Sequence, residues 1–283
     1  MVKNTTPLNF KKWCKNPDKT LIMGVLNITP DSFSDGGKYF SKNSAIKHAL
    51  KLINEGSDII DVGGESTRPG ASHLTIEEEL TRVIPVIKEI RKLSKNILIS
   101  IDTYKSEVAK EAVKYGANII NDISGLVMDD RMVHIAAELD VPVIIMHLKG
   151  TPMNMQVNPT YENLISEITE FLRTQIQYAL KNGVKKHNII IDPGIGFGKT
   201  IEHNFKIIAN LEKFKKIGYP ILIGPSRKSF IGNLLKLPPD KRLEGTAASI
   251  AIGIVNGARI VRVHDVLEMK RVSSIADKVN EVT

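Results

Sequence analysis

Residues 188–194 read NIIIDPG: a run of isoleucines, then an aspartate and a Pro-Gly turn. A short β-branched run bounded by turn residues predicts a strand that is buried on both faces, as in a parallel sheet. Seven similar runs occur along the chain. They are LIMGVLN (21–27), DIIDVGG (58–64), ILISIDT (97–103), NIINDISG (118–125), VPVIIMH (141–147), PILIGPS (220–226) and ARIVRVH (258–264). The repeated pattern indicates a large parallel sheet.

The segments between these runs have helical periodicity. One apolar stripe is formed by Ile76, Leu80, Val83, Ile84, Ile87 and Ile90, and a second helix, near 161–182, should end at Gly183. Helices that are apolar on one side suit an outer ring, so eight β/α units predict a single (β/α)8 TIM barrel; an open doubly wound sheet is the alternative. We assign residues 20–283 to the barrel domain and residues 1–19 to an N-terminal extension. In that extension Trp13 and Cys14 either pack or are free in solvent.

The stretch IIIDPGIGFGKT (189–200) ends in Gly-Lys-Thr and so invites comparison with a nucleotide phosphate loop. That loop needs a glycine five residues before Gly198, where this chain has Pro193. A dinucleotide fingerprint would need a third glycine at Lys199. Neither motif is present, so the turn must be rich in glycine for another reason.

Composition excludes several classes of protein. The chain has 283 residues, a formal charge of +8 and one cysteine, Cys14, which rules out an intrachain disulfide. The lysines are scattered without a basic arm, so we expect no nucleic-acid partner. The first residues lack the apolar core of a signal peptide, and no run is long enough to span a bilayer. We expect a soluble cytoplasmic protein with no membrane partner.

Polar residues stand at the end of every predicted strand, and in a parallel barrel the strand ends converge on one mouth. They are Asn27, Asp61, Asp102, Asn121, His147, Asp192, the group 226–228, Arg262 and His264. Asp102, Asn121 and Asp192 would suit either a divalent metal or a heterocycle rich in N–H donors, with Lys228 as a further donor. Arg68, Arg262 and His264, with Asn27 for a bridging magnesium, would suit phosphate groups. The two halves together indicate a heterocycle that carries a pyrophosphate and loses it.

Two long connections should lie over the same mouth. ITPDSFSDGGKYFSK follows the first strand and ESTRPGASHL the second, whereas β/α connections usually have about 2–6 residues. Long glycine-containing connections are often binding loops or lids. We therefore expect both to take part in the site.

The motifs resemble those of the dihydropteroate synthase family, a group of folate-pathway transferases. MGVLNITPDSFSDGG (23–37) and GSDIIDVGGESTRPGA (56–71) are similar to its two signature stretches, and the likeness continues through SIDTYKSEVA, INDISG, HLKGTPMNMQ, DPGIGFGKT, GPSRKSFIG and RVHDV. The resemblance implies a (β/α)8 barrel, usually a homodimer. It implies an enzyme that joins 6-hydroxymethyl-7,8-dihydropterin pyrophosphate to p-aminobenzoate with Mg²⁺, and a pocket that is the sulfonamide target. One departure is Leu148, where the family commonly has methionine.

The resemblance also assigns roles to residues. For the pterin it implies Asp102, Asn121, Ile123, Met146, Asp192 and Lys228. For the pyrophosphate it implies Asn27, Arg68, Arg262 and His264, with Asn27 also on the magnesium. For p-aminobenzoate it implies Phe33, Thr67, Arg68, Pro69, Phe197 and Ser229. Asp35 on the first loop joins Asn27, Arg68, Lys228, Arg262 and His264 as residues acting in catalysis.

These roles make Asp102→Ala defective in pterin binding and Arg262→Ala slow in turnover with pterin binding largely kept. Two alternatives are a pterin-binding methyltransferase that serves a corrinoid and a non-catalytic pterin-binding protein. The loops at 29–37 and 65–71, together with Arg262 and His264, disfavour the first. The second should have lost a site residue, and none is missing.

Overall fold

The protein is a closed barrel of eight parallel strands in sequential order, in a computed structural model that describes residues 9–28, 42–66 and 73–282. The strands are β1 (Leu21–Asn27), β2 (Ile59–Gly63), β3 (Leu98–Asp102), β4 (Ile119–Asp122), β5 (Val143–Met146), β6 (Ile189–Asp192), β7 (Ile221–Ile223) and β8 (Ala258–Val263). Each lies within a run that the sequence predicted, and β8 pairs with β1 to close the ring. The barrel is therefore confirmed and the open sheet is wrong.

Helices cover the outside of the barrel. They are α1 (Phe10–Lys15), α2 (Lys42–Asn54), α3 (Ile76–Leu93), α4 (Ser106–Lys114), α5 (Met132–Glu138), α6 (Leu164–Lys181), α7 (Ile201–Ala209), α8 (Leu211–Lys215), α9 (Ser229–Leu235), α10 (Leu243–Val255) and α11 (Val266–Glu281). In α3 the predicted stripe faces inward: Val83, Ile87 and Ile90 are buried. After α6 the chain turns at Gly183 with φ of 93°, as predicted.

Two apolar cores result from the alternation of side chains along the strands. The larger lies between the strands and the helices. The smaller lies inside the barrel, where residues from the starts of the strands, such as Leu21, Ile59 and Ile260, meet α1. Phe10, Trp13 and Cys14 of α1 are all buried in this second core. Of the two alternatives for Trp13 and Cys14, packing is correct.

The opposite end of the barrel carries the polar residues. Asn27, Asp102 and Asp192 are the last residues of β1, β3 and β6, so their side chains surround the mouth as expected. No helix in the described ranges is long and apolar enough to cross a membrane.

Candidate active site

An arginine between two carboxylates lies at the centre of the mouth. Arg262 on β8 donates from Nε to Asp61 Oδ2 at 2.6 Å and from Nη2 to Asp102 Oδ2 at 2.7 Å. Asn121 on β4 donates to the same Asp61 oxygen at 3.3 Å. The Asp61 side chain is fully buried, and such a carboxylate requires a partner of this kind. The cluster joins four strands through charge-assisted hydrogen bonds.

Burial and neighbouring charge oppose each other in this cluster. Burial raises the pKa of Asp102 to about 7, with Arg262 acting against the shift and Asp61 adding to it. Burial disfavours the charged form of Arg262, but Asp61 and Asp102 outweigh it and raise the pKa of the guanidinium. Arg262 is therefore permanently charged, whereas Asp102 can exchange its proton near neutral pH.

The glycine-rich turn after β6 passes close to the end of β5. Asp192 Oδ1 accepts from the Gly194 N–H at 2.7 Å. A Cβ on Gly194, whose φ is 73°, would lie 1.9 Å from the His147 carbonyl oxygen, so only glycine permits this approach to the end of β5. A phosphate loop would instead direct its N–H groups at an anion. The structure thus explains the glycines without a phosphate.

Lys228 lies across this turn from the loop after β7. Its Nζ donates to the Ile195 carbonyl and lies 4.4 Å from the centre of the Phe197 ring. Gly196 has a φ of 83°, a conformation that L side chains rarely adopt, and a Cβ there would lie 2.7 Å from Lys228 Cδ, so glycine is favoured there also. Burial lowers the pKa of Lys228 to about 8, although Asp192 opposes the shift. The amine, the Asp192 carboxyl and the Phe197 ring are therefore parts of one site.

His264 follows β8 and is held by the loop after β7. Its Nδ1 lies 3.0 Å from Ser226 Oγ, and its backbone N–H donates to the same oxygen at 3.2 Å. Ser226 Oγ accepts from the backbone and keeps its own hydrogen, which it can donate to Nδ1 in the tautomer that carries the ring proton on Nε2. Arg227, with φ of 58°, pairs through Nε with Asp265 Oδ2 at 3.0 Å and braces the same two loops.

Two oxygen donors adjoin the space beside Gly63. A Cβ at this glycine would lie 3.5 Å from Asn27 Oδ1 and 3.6 Å from Asp102 Oδ2. Oxygen donors of this type suit Mg²⁺. Within the described ranges no group of three or more His, Cys, Asp or Glu side chains could hold a metal.

Three of the remaining predicted residues lie in the described part of the structure, and the others do not. Ile123 after β4 and Met146 at the end of β5 are buried at the mouth, whereas Ser229 at the start of α9 is exposed. The predicted loop residues lie outside the described residues. They are Phe33, Asp35, Thr67, Arg68 and Pro69.

The sequence placed Asp61 among the polar residues of the mouth without a specific role, and gave Lys199 none. Asp61 lies in the middle of β2 among buried apolar residues, and a charge at such a position must be paired; this signal predicts a buried cation but does not say which residue supplies it. Lys199 was considered only as part of a failed phosphate-loop match. It is 3% exposed and its Nζ is directed into the turn, donating to the Phe197 carbonyl at 2.8 Å. No sequence pattern distinguishes such a lysine from an exposed one.

Comparison with known proteins agrees with this site. The family model described as "Pterin binding enzyme" matches residues 23–264. The dihydropteroate synthase of Clostridium beijerinckii is 51% identical over 261 residues, which cover 92% of this chain and 94% of that protein. The crystal structure of the Clostridium difficile dihydropteroate synthase with pteroic acid has a TM-score of 0.87 and 46% identity, covering 94% of this chain and 98% of that one.

A second solved structure is the Xanthomonas albilineans dihydropteroate synthase with 4-aminobenzoic acid. It has a TM-score of 0.88 and 39% identity, and the match covers 94% of this chain and 95% of the other. Matches of this extent and identity go beyond a shared fold. The chain belongs to the dihydropteroate synthase family of pterin-binding enzymes.

Proposed function

We propose that this chain condenses 6-hydroxymethyl-7,8-dihydropterin pyrophosphate with p-aminobenzoate, giving 7,8-dihydropteroate and pyrophosphate. The observation that carries the proposal is the set of acceptors at the mouth, the buried Asn121 and Asp192 and the largely buried Asp102, beside an arginine and a lysine. Such acceptors match the N–H edge of a 2-amino-4-oxo heterocycle, because one carboxylate can accept two parallel hydrogen bonds. Relatives that carry the dihydropteroate synthase name support the reaction.

The pterin would be bound inside the barrel. Asp102 and Asp192 would accept from its ring nitrogens, Asn121 would both donate and accept, and Lys228 would donate to a ring oxygen or nitrogen. Ile123 and Met146 would pack near the ring, since both are buried beside these residues. A buried carboxylate that gains two N–H donors is stabilised in its charged form, so binding should lower the pKa of Asp102.

The pyrophosphate would lie toward Asn27 and His264, with Arg68 and Arg262 as further donors. Asn27 Oδ1 would hold a magnesium ion, which would supply charge neutralisation of the leaving group. With Ser226 on Nδ1, the Nε2 hydrogen of His264 would donate to a phosphate oxygen. Arg262 would bridge the pterin acids and the anion.

The second substrate would enter beside the glycine-rich turn. Phe197 and Ser229 border the mouth there, and Phe33, Thr67, Arg68 and Pro69 would complete the pocket from the two loops. The structure of a relative with 4-aminobenzoic acid supports a small aromatic acid as the ligand of this family. The same pocket would be the sulfonamide site.

The chemistry would be a dissociative substitution. The bond from the pterin methylene to pyrophosphate breaks as positive charge spreads into the electron-rich ring, and the arylamine then attacks the methylene and loses a proton. Arg68, Arg262 and His264 would stabilise the negative charge that grows on the leaving group. Asp35, on the first loop, would also act in catalysis. The two loops would exclude water from the site during the reaction. No nucleophilic side chain is needed.

The test is pyrophosphate release from the pterin substrate with Mg²⁺, with and without p-aminobenzoate. Release accompanied by 7,8-dihydropteroate is the expected result. If the pterin binds and neither product forms, the chain is a binding protein or acts in another pterin reaction, and the proposal fails.

We also infer a cytoplasmic homodimer. Exposed apolar residues concentrate on α10 and α11, with Ile252 52% and Ile275 71% exposed. Paired helices with such side chains are typical of a surface that a second subunit covers. Light scattering after size exclusion should give twice the chain mass, and Ile275→Asp should reduce it. The single buried cysteine supports a reducing compartment.

A further inference from the structure

The amine of Lys199 lies inside the turn that follows β6. It donates to the Phe197 carbonyl at 2.8 Å and to the His147 carbonyl at 3.3 Å, and lies 3.0 Å from His147 Nδ1. The two carbonyls accept from the amine, and Nδ1 also accepts in the tautomer that carries the ring proton on Nε2. Burial lowers the pKa of Lys199 well below its usual value, although Asp192 opposes the shift. A lysine that is 3% exposed is uncommon unless it is paired, so its position must serve the surrounding structure.

Each carbonyl from Ile195 to Gly198 accepts a hydrogen bond from a side chain. Lys228 donates to the first, Gln156 Nε2 donates to the Gly196 carbonyl at 2.8 Å, and Tyr161 Oη donates to that of Gly198 at 2.8 Å. Among the residues that the structure describes, Lys199 is the donor to the Phe197 carbonyl. The turn has no regular secondary structure of its own, so these donors fix its conformation.

Asp192 and Phe197 are held to different degrees. Asp192 ends β6 in register with Met146, and its carbonyl accepts from the His147 N–H at 2.9 Å, so the sheet fixes it. Phe197 lies five residues further and is only half-buried, with Lys228 over its ring. Loss of the Lys199 amine should therefore displace Phe197 more than Asp192.

We propose that Lys199 is a positioning residue for the p-aminobenzoate pocket, tying the Phe197 backbone to the end of β5 so that the ring borders the second substrate. The inference rests on the proposed function. In a phosphate loop the lysine of Gly-Lys-Thr would bind a phosphate. In this chain that lysine, Lys199, binds the turn itself. Loss of the Lys199 amine should therefore weaken the binding of p-aminobenzoate and leave the binding of the pterin pyrophosphate largely unchanged.

The test compares Lys199→Met with Lys149→Met by steady-state kinetics in both substrates. Lys149 is the matched control because it lies next to the same turn but donates outward to the Thr160 carbonyl. Lys199→Met removes the hydrogen bonds from this lysine to the Phe197 and His147 carbonyls, so the KM for p-aminobenzoate should rise roughly tenfold, while the KM for the pterin pyrophosphate changes less than about threefold. Tyr161→Phe, which removes a single oxygen, should shift the same constant less.

Hydrogen exchange of residues 193–199 gives a readout that does not depend on activity. Exchange should be faster in Lys199→Met and unchanged in Lys149→Met. If the wild-type protein forms no dihydropteroate, the proposed function fails, and exchange alone still decides whether Lys199 fixes the turn. An equal rise in both KM values, a rise confined to the pterin pyrophosphate, or unchanged kinetics and exchange would each overturn the positioning role.

Discussion

At the scale of single residues, Arg262 is bound to the acids of the pterin site, whereas the sequence assigned it to the pyrophosphate alone. Its guanidinium is held by Asp61 and Asp102, so Arg262→Met would leave two buried carboxylates without their cation. We therefore expect pterin affinity to fall at least about tenfold, in contrast to the earlier expectation that only turnover would slow. Calorimetry with pteroic acid measures this. Arg259→Met, on the same strand, is the control. Unchanged pterin affinity in Arg262→Met would mean that this arginine acts on the pyrophosphate alone.

The dependence on pH follows from two other residues of the mouth. Burial raises the pKa of Asp102 to about 7 and lowers that of Lys228 to about 8. Asp102 can accept two parallel N–H donors only when ionised, so kcat/KM for the pterin should fall as pH drops below about 7. It should fall again above about 8, as Lys228 loses its proton. In Asp102→Asn the acid limb should disappear; an unchanged acid limb would mean that another group controls it.

Secondary-structure elements were predictable where burial on both faces constrains the sequence. The run 21–27 is β1 to the residue, and the other strands lie inside their predicted runs, because a parallel strand that is covered on both faces is mostly apolar. The six-residue α1 escaped prediction since it is shorter than the window that reveals helical periodicity. Pairings across the barrel, such as Arg262 with Asp61, were also hidden, because they join residues 201 positions apart.

An ion cluster joins three elements beside the mouth and gives a prediction at this scale. Lys105, just before α4, binds Glu65, which follows β2, and donates to Glu79 of α3 at 2.6 Å. Glu79 is 1% exposed, so Lys105→Met would leave its charge buried without a partner. We expect the free energy of unfolding to fall by about 3–5 kcal/mol in urea titrations. Lys110→Met, an exposed lysine on α4, should change it by less than about 0.5 kcal/mol.

For the molecule as a whole, the two ends of the barrel have separate tasks. Asp102 and its neighbours occupy the mouth, whereas Phe10 and Trp13 of α1 close the other end and pack on residues such as Met23 and Ile190. Residues at the closed end of such barrels serve stability, and those at the strand carboxyl ends serve chemistry. A large truncation at the closed end should therefore weaken the fold and leave the reaction unaltered.

Trp13→Ala tests this separation. Trp13 is 3% exposed, stacks on Phe10 with ring centres 5.5 Å apart, and donates from Nε1 to the Lys19 carbonyl at 3.0 Å. Its loss should lower the free energy of unfolding by about 3–5 kcal/mol, as large-to-small changes of buried aromatics do. Well below the new Tm, kcat/KM for both substrates should stay within about twofold of wild type, and the exposed Lys12→Ala should change neither quantity. A matching loss of kcat/KM in folded Trp13→Ala would show that α1 is coupled to the mouth through the barrel interior.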